Sequence, residues 1–344
     1  MIFQNIILNE EKNVKLTAMI QDIAGEYGSH IAKRPAVLVL PGGGYTMCSD
    51  REAEPVATAY LQAGFQAFIL RYTIKEKGDW PAPLNDYEQA MTYIREHADE
   101  WHVDTDKIAV IGFSAGGHLA GYAATHAENR PNAAILGYAA LSGSVCDAML
   151  PGVAYPADLV DDKTCPCFLF ATRDDAVVNI MNTINFETAL CKKGIMFESH
   201  IYSYGNHGFS TGETYLNSFN FTPRAKNWVQ DSIDWLNEVF GTFTFFGYKQ
   251  PAFKRAINGN REPYLSIDCT LNHIRKQSEE VQALLKDVYA AFQIILKKLN
   301  ITSESMIENI GNQYKIRDIL KMINMPEENI VKLDCALQKI KNTL

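Results

Sequence analysis

The sequence lacks an excess of positive charge. Its 32 lysine and arginine residues are outnumbered by 40 aspartate and glutamate residues, which gives a net charge of −8. A protein that binds nucleic acid gains much of its affinity when a basic patch replaces the counterions of the phosphate groups. The charge balance therefore argues against a nucleic-acid partner, although it says little about other substrates.

Long apolar runs are missing as well. No stretch approaches the roughly 18 uninterrupted apolar residues that would span a bilayer. The opening residues, MIFQNIILNEEKNVKL, contain no basic segment, no long apolar core and no small-residue cleavage site. Because a secretory signal peptide has all three, we expect no export signal, no membrane contact and a cytoplasmic location.

The cysteines form no spaced framework, and their number, seven, is odd. Cys165 and Cys167 are separated by one residue and lead into an apolar run, which favours a buried strand start over a metal or redox pair. The sequence has no H-E-x-x-H motif and no histidine and aspartate cluster with metal-ligand spacing. We therefore expect reduced thiols and neither a metal nor an organic cofactor.

What the chain does have is an alternation of strand and helix patterns over residues 1–240. The run Ala36–Leu40 is apolar throughout and ends at Pro41 and three glycines, as is typical of a strand buried on both faces. The order of the patterns predicts an α/β fold with a mostly parallel central sheet and helices on both faces. The other predicted strands are 2–8, 14–20, 65–70, 107–111, 133–140, 168–171 and 196–202, and the predicted helices are 52–63, 83–97, 118–126, 179–192 and 224–240.

The composition changes after residue 240. Residues 241–265 are rich in aromatic side chains, are interrupted by glycine and proline and show no clear period, which predicts a linker or docking segment. Residues 266–344 show apolar residues at helical spacing, for example over 278–299, so a helical accessory domain is predicted there. This domain contains no recognisable catalytic constellation, and we expect an accessory or oligomerising role, such as a homo-oligomer formed through its helices.

A G-x-S-x-G motif occupies Gly112–Gly116. It directly follows the apolar run KIAVI and directly precedes a helical pattern, which is the strand–turn–helix context that makes such a serine a nucleophile. Glycine is needed on either side because the serine lies on a sharp turn where a side chain would clash. The motif predicts that the hydroxyl of Ser114 is exposed next to a helix N-terminus that favours negative charge. The alternative is a coincidental turn rich in glycine and serine.

A second glycine-rich segment, Pro41–Tyr45, follows a predicted buried strand. Glycine lets the main chain approach a tetrahedral intermediate closely, so this loop is expected to donate N–H groups to an oxyanion. The predicted donors are the amide of Gly43 or Gly44 and that of Ala115. A phosphate-binding loop is disfavoured because the segment lacks the Lys-Ser/Thr pair and the G-x-G-x-x-G spacing.

The base and the acid of a triad should follow the serine in the order acid, then histidine. Of the histidines after Ser114, only His207 lies in a glycine-bounded loop just beyond the last predicted strand, so we assign it as the general base. Asp174 and Asp175 both follow the strand 168–171. Asp175 is preferred because it precedes Val178 by three residues, and Asp174 remains the alternative, with a capping role expected for the other aspartate.

These ordered segments resemble the esterase/lipase branch of the α/β-hydrolases that includes acetyl xylan esterase-like and bacterial feruloyl-esterase-like enzymes. The resemblance implies an α/β-hydrolase catalytic domain over residues 1–240 that forms an acyl-enzyme on Ser114. Two features depart from the pattern: Val178 is followed by asparagine where proline is usual, and the glycine loop begins with Pro41 where many lipases have histidine. The matching segments are VLVLPGGGY (37–45), SDREAEPVA (49–57), FILRYTI (68–74), WPAPLNDYEQA (80–90), VDTDKIAVIGFSAGGHLAG (103–121), ATRDDAVVN (171–179) and YGNHGF (204–209).

Chain length limits the substrate pocket. Only about two dozen residues separate Leu141 from Cys165, too few for a large helical cap over a long-chain lipase pocket. An open, shallow site would suit a short acyl group, such as acetyl, on a polar alcohol such as an oligosaccharide. Tyr45, Trp80 and Tyr204 are candidates for a rim on which a sugar stacks, although for each of them the sequence favours packing at least as much.

Other functions stay open at this point. An amide hydrolase of the arylformamidase kind or a serine peptidase would use the same triad. A non-catalytic binding protein that presents the helical tail is a third alternative, and it predicts a broken triad.

Overall fold

The computed structural model describes residues 1–26, 30–216, 220–244, 247–251, 259–262 and 264–343. The chain divides into two compact units, a sheet unit of residues 1–255 and a helical unit of residues 256–344. Over the described ranges, no helix combines the length and the apolar character that crossing a membrane requires.

The sheet unit is built on an eight-stranded, mostly parallel sheet. Its strands are β1 (Ile2–Asn9), β2 (Val14–Ile20), β3 (Arg34–Leu40), β4 (Gln66–Arg71), β5 (Val103–Phe113), β6 (Ala133–Gly137), β7 (Cys167–Thr172) and β8 (Phe197–Tyr202). They lie in the order β1-β2-β4-β3-β5-β6-β7-β8. β2 is antiparallel to both of its neighbours, and all other pairs are parallel.

The neighbouring strands β3 and β5 mark a switch point in this sheet. The chain leaves β3 toward β4 on one side, and it leaves β5 toward β6 on the other. A crevice opens at the carboxyl ends of two strands that diverge in this way, and ligands of open α/β sheets bind there. Leu40 pairs with Gly112, so the two glycine-rich segments begin side by side.

Helices cover both faces of the sheet, as the sequence predicts. Along β3, Leu38 packs in one apolar core and Val37 in the other, because successive side chains of a strand point to opposite faces. The first core includes side chains of α2, α3 and α5, and the second includes side chains of α1 and α6. The helices are α1 (Glu54–Gln62), α2 (Ala82–Glu96), α3 (Ser114–Thr125), α4 (Ser144–Met149), α5 (Met181–Lys193) and α6 (Trp228–Phe240).

The predicted turn at 112–117 and the helix start at 118 are wrong. β5 continues to Phe113 and α3 begins at Ser114, so Gly116 and Gly117 are helical. Glycine weakens an isolated helix by about 1 kcal/mol, which favoured a turn. Tertiary contact overrides that preference here, because a Cβ on Gly116 would lie 2.1 Å from the carbonyl oxygen of Leu40.

The segment 241–265, predicted as a linker or docking segment, contains a short antiparallel pair that the sequence analysis did not predict. It consists of β9 (Thr242–Thr244) and β10 (Gly247–Lys249). Residues 245–246, 252–258 and 263 of this segment lie outside the described residues.

The helical unit is built of short helices around its own apolar core. The helical pattern predicted over 278–299 is divided at Leu285 into two helices. Residue 344, the end of the predicted accessory domain, lies outside the described residues. The helices are α7 (Leu271–Arg275), α8 (Glu279–Leu284), α9 (Lys286–Lys298), α10 (Glu304–Gln313), α11 (Ile316–Met322) and α12 (Glu327–Leu337).

Candidate active site

Ser114 lies at the junction of β5 and α3, with a φ of 53°. A non-glycine residue in this left-handed region stores about 1–3 kcal/mol of strain that the surrounding packing must offset. The two glycines of the motif allow that packing: a Cβ on Gly112 would lie 2.2 Å from the carbonyl oxygen of Gly116. The strand and the helix can therefore meet at a sharp angle with the serine hydroxyl at the turn.

The hydroxyl of Ser114 is the first member of a hydrogen-bonded chain. Its Oγ lies 2.9 Å from Nε2 of His207, and Nδ1 of the same ring lies 2.7 Å from Oδ2 of Asp175. The Asp175 side chain is 1% exposed and that of His207 is 16% exposed. The structure thus brings together three predicted site residues that follow β5, β7 and β8, because the carboxyl ends of parallel strands meet at one edge of the sheet.

The two adjacent aspartates face different partners. Oδ1 of Asp175 accepts the N–H groups of Val177 (2.8 Å) and Val178 (2.9 Å), which fixes the carboxylate while Oδ2 faces the imidazole. Asp174 is exposed, and its Oδ1 accepts the N–H of Gly205 at 2.8 Å. It therefore ties the loop after β7 to the loop after β8.

The glycine loop after β3 places two amides at the site. Gly43 and Gly44 have φ values of 132° and 62°, conformations that residues with a side chain rarely adopt. In the described part of the chain, neither of their N–H groups donates to a protein acceptor. The N–H of Ala115 lies in the first turn of α3, where amides have no carbonyl one turn earlier to bond. The amides of Gly43 and Gly44 thus have no protein acceptor within the described residues, and both glycines line the same cavity as Ser114.

Neighbouring backbone groups of the same loop are held by the protein. The hydroxyl of Tyr72 donates to the carbonyl of Pro41 at 2.5 Å, and the N–H of Ser49 donates to the carbonyl of Gly42 at 2.9 Å. The carbonyl of Gly43 accepts the N–H of Thr46 at 3.0 Å. These bonds fix the loop, so its free amides keep their direction.

Glu52 is a site residue that the sequence analysis missed. It belongs to a 3-10 turn, Asp50–Glu52, and is 3% exposed. Its carboxylate accepts the N–H of Gly42 and the hydroxyl of Tyr138, each at 2.7 Å, and burial raises its pKa. The segment SDREAEPVA was part of the family resemblance, but a glutamate before a helical pattern was interpreted only as the start of a helix.

A cavity of about 530 Å³ opens beside Ser114. Its wall contains apolar side chains from α4 and from the loop after β7 that includes Asp175 (the acid loop). Polar groups come from the glycine loop and from the loop after β8 that includes His207 (the histidine loop). Over the described residues, no group of three or more His, Cys, Asp or Glu side chains is arranged to hold a metal ion. The lining consists of Gly43, Gly44, Met47, Ser49, Arg51, Glu52, Ser114, Val145, Met149, Val177, Val178, Asn206, His207 and Gly208.

The predicted aromatic rim is wrong for Tyr45. This side chain is 1% exposed, and its hydroxyl pairs with Nδ1 of His118 at 2.8 Å, so it cannot offer a stacking surface. Trp80 packs with its ring centroid 4.7 Å from that of Tyr122, and Tyr204 is 40% exposed. Neither Trp80 nor Tyr204 is among the residues that line the cavity.

Comparison with known proteins places the sheet unit in a family. The BD-FAE family model matches residues 28–143. A crystal structure of an α/β-hydrolase enzyme from a Medee basin deep-sea metagenome library is 40% identical, with a TM-score of 0.65 over 70% of this chain and 98% of that one. An acetyl ester-xyloside bifunctional hydrolase from Caldicellulosiruptor lactoaceticus is 28% identical, with a TM-score of 0.59 over 69% of this chain and 96% of that one.

A curated relative agrees with these structures. The acetylxylan esterase of Xylanibacter ruminicola is 28% identical over 217 residues, which cover 57% of this chain and 45% of the relative. The chain spans between 33% and 45% of the length of the first curated relatives that it matches. The resemblance expected from the sequence is confirmed: the chain belongs to the esterase branch of the α/β-hydrolase family, a branch of carboxylic ester hydrolases.

Proposed function

We propose that this protein is a serine carboxylesterase that hydrolyses short-chain acyl esters, in particular acetyl esters of carbohydrates. The observation that carries the proposal is the hydrogen-bonded chain from Ser114 through His207 to Asp175, beside the free amides of Gly43 and Gly44. A serine hydroxyl is a weak nucleophile unless an adjacent base takes its proton, and here Nε2 of His207 is within reach to do so.

The reaction follows from this geometry in two steps. Oγ of Ser114 attacks the ester carbonyl while His207 takes the hydroxyl proton, and the oxyanion accepts N–H bonds from the glycine loop and from Ala115. His207 returns the proton to the leaving alcohol, which departs and leaves an acyl group on Ser114. A water molecule then gives a proton to His207 and attacks the acyl carbonyl. The bond to Oγ breaks, His207 passes the proton to Oγ, and the acid leaves. Asp175 holds the ring so that Nε2 faces Ser114 throughout.

A short acyl group fits the surroundings of the serine. The residues between β6 and β7, all of which the structure describes, form only the six-residue helix α4 and a 3-10 turn at Pro156–Leu159. Val145 and Met149 of α4 and Val178 of the acid loop line the apolar part of the cavity next to Ser114. This space suits an acetyl group better than a long chain, and the polar remainder of the cavity suits a sugar alcohol. The names of the acetylxylan esterase and the acetyl ester-xyloside hydrolase support this substrate class.

The experiment that tests the proposal is hydrolysis of p-nitrophenyl acetate, butyrate and octanoate by the parent and by Ser114→Ala. We expect preference for acetate in the parent and loss of activity in the variant. Acetate release from acetylated xylo-oligosaccharides, measured in parallel, tests the carbohydrate. Equal activity of both proteins would remove Ser114 as the nucleophile, and a parent that cleaves only an anilide or formamide substrate would favour an amide hydrolase instead.

A further inference from the structure

We propose that Glu52 is a positioning residue of this site, whose buried carboxylate holds the glycine loop and the loop of His207 in a fixed relation to Ser114. The inference rests on the proposed esterase function, since the loops it concerns contain the oxyanion donors and the base. Glu52 does not touch the reacting atoms; it acts through Gly42 and Tyr138.

The first contact of Glu52 is with the glycine loop. Its Oε2 accepts the N–H of Gly42, which directly precedes the two free amides. Gly42 is confined between this carboxylate and the nucleophile: a Cβ there would lie 2.7 Å from Oε2 of Glu52 and 3.0 Å from Cβ of Ser114. Because the carbonyl of Gly42 is also bonded, to the N–H of Ser49, this residue is held on both sides. The N–H of Gly43 shares a peptide unit with the carbonyl of Gly42, so its direction follows from how Glu52 and Ser49 hold Gly42.

The second contact reaches the histidine loop. Oε1 of Glu52 accepts the hydroxyl proton of Tyr138, and the oxygen of the same hydroxyl accepts the N–H of Ser210 at 3.0 Å. Ser210 is three residues beyond His207. The ring of Tyr138 also packs edge-on against the imidazole, with 5.0 Å between ring centroids. A single carboxylate is thus linked to the oxyanion donors on one side and to the base on the other.

The hydrogen bonds of Glu52 are those that a carboxylate makes. Its Oε2 accepts the N–H of Gly42, and its Oε1 accepts the hydroxyl proton of Tyr138. Burial raises the pKa of Glu52, and its two hydrogen bonds and the nearby charges of His207 and Arg51 act in the opposite direction. Burying a charged carboxylate costs free energy, so a neutral side chain of the same shape should cost less to bury at this position.

Glutamine at this position keeps the shape of the side chain and removes the charge. Its oxygen must face the N–H of Gly42, so its NH₂ group faces Tyr138. The hydroxyl of Tyr138 would then have no acceptor at this position. Without that hydrogen bond, the Tyr138 ring that packs against the imidazole of His207 would be held less firmly. The variant should therefore fold and yet misplace the catalytic groups.

The test compares Glu52→Gln with Glu54→Gln, the same change two residues away. Glu54 is 42% exposed and pairs with Arg71 at the surface. For each protein, kcat and KM on p-nitrophenyl acetate, the rate of Ser114 labelling by a fluorophosphonate probe and the melting temperature would be measured. In Glu52→Gln we expect kcat and the labelling rate to fall at least about tenfold, with KM within about twofold. The melting temperature should change little, because the lost hydrogen bond of Tyr138 is offset by the smaller cost of burying a neutral side chain. Glu54→Gln should match the parent in kcat and labelling.

Two results would overturn the inference: parent-like kcat and labelling in Glu52→Gln, or a loss that only follows a fall in folded protein. Tyr138→Phe gives an independent check, because it breaks the same link from the other end and should lower kcat in the same way. Failure of the esterase proposal is recognisable separately. In that case Ser114→Ala retains ester hydrolysis or the parent cleaves no ester, whereas the labelling rate still reports whether Glu52 positions the serine site.

Discussion

Replacing Asp175 by asparagine would exchange one carboxylate oxygen for an NH₂ group inside the hydrogen-bonded chain. The side-chain oxygen of asparagine would remain where Oδ1 is now, because the N–H groups of Val177 and Val178 require an acceptor there. The NH₂ group would then face Nδ1 of His207 in place of Oδ2, at a distance that is now 2.7 Å. Two donors cannot face each other, so the imidazole must shift its proton to Nε2.

The size of the effect follows from that tautomer. With its proton on Nε2, His207 points a donor at Ser114 and can no longer accept the hydroxyl proton. A triad that keeps its shape but holds the wrong tautomer loses about 10⁴-fold in kcat. Folding should suffer little, because the side chain keeps its bonds to Val177 and Val178 and the bond to Nδ1 persists with its direction reversed. These bonds lose only the strengthening by the carboxylate charge, so we expect a loss of about 1–2 kcal/mol in the free energy of unfolding.

The adjacent residue offers a matched control. In Asp174→Asn, the amide oxygen can still accept the N–H of Gly205, and this exposed side chain does not face His207. The assay is kcat on p-nitrophenyl acetate for both variants, together with unfolding by urea. We expect Asp174→Asn to stay within about threefold of the parent, since surface substitutions change little. A variant Asp175→Asn with parent-like kcat, or an inactive and fully folded Asp174→Asn, would refute this account of the acid.

Three further predictions concern packing, pH and specificity. Gly116→Ala would place a Cβ 2.1 Å from the backbone oxygen of Leu40, so we expect a lower melting temperature and a kcat at least about a hundredfold lower. Gly121→Ala in the same helix meets side chains and not backbone, with Cδ2 of Leu141 at 2.7 Å and Cβ of Pro156 at 3.0 Å. A gain of about 1 kcal/mol in helix propensity offsets part of this crowding, and the kcat should stay close to that of the parent. Burial lowers the pKa of His118 from 6.5 to about 3, so the unfolded chain binds a proton there that the folded chain refuses. Between pH 6.5 and about pH 3, the free energy of unfolding should therefore fall by about 1.4 kcal/mol for each pH unit of acidification. In His118→Gln, urea unfolding at a series of pH values should show a smaller fall. A parallel pH dependence in both proteins would count against this role. Met149→Ala should raise the ratio of kcat/KM for butyrate over acetate roughly tenfold, because room for two methylene groups is worth about 1.6 kcal/mol. An unchanged ratio would show that the acyl chain does not meet this wall of the cavity.

Much of the fold could be predicted from local patterns. The apolar run at 36–40 and the alternation of strands and helices predicted a parallel sheet covered on both faces, and the structure has one. Such patterns are reliable because a buried strand must be apolar whatever surrounds it. The G-x-S-x-G motif and the PGGG segment were recognisable for a similar reason, since only glycine permits the close backbone approaches at Gly112 and Gly43.

Other features depend on residues that are distant in sequence. Spacing favoured Asp175 over Asp174, but only the approach of the loop after β8 shows which carboxylate faces His207. Tyr45 is the last residue of the glycine-rich segment, and from the sequence alone this position is compatible with a substrate contact. It is buried because His118 from α3 and Trp80 from another segment pack around it.

The sequence by itself determined the succession of strands and helices along the chain, the family and the residue types at the ends of β3, β5, β7 and β8. Only the tertiary structure decided which side chains meet, because contacts between loops follow from how the strands pair and not from spacing along the chain. Glu52 shows the difference most plainly. It lies in a segment with three other charged residues and resembles an ordinary helix start, yet it is 3% exposed between Gly42 and Tyr138. A carboxylate is stable there only because two separate segments bring donors to it, and no local pattern contains both.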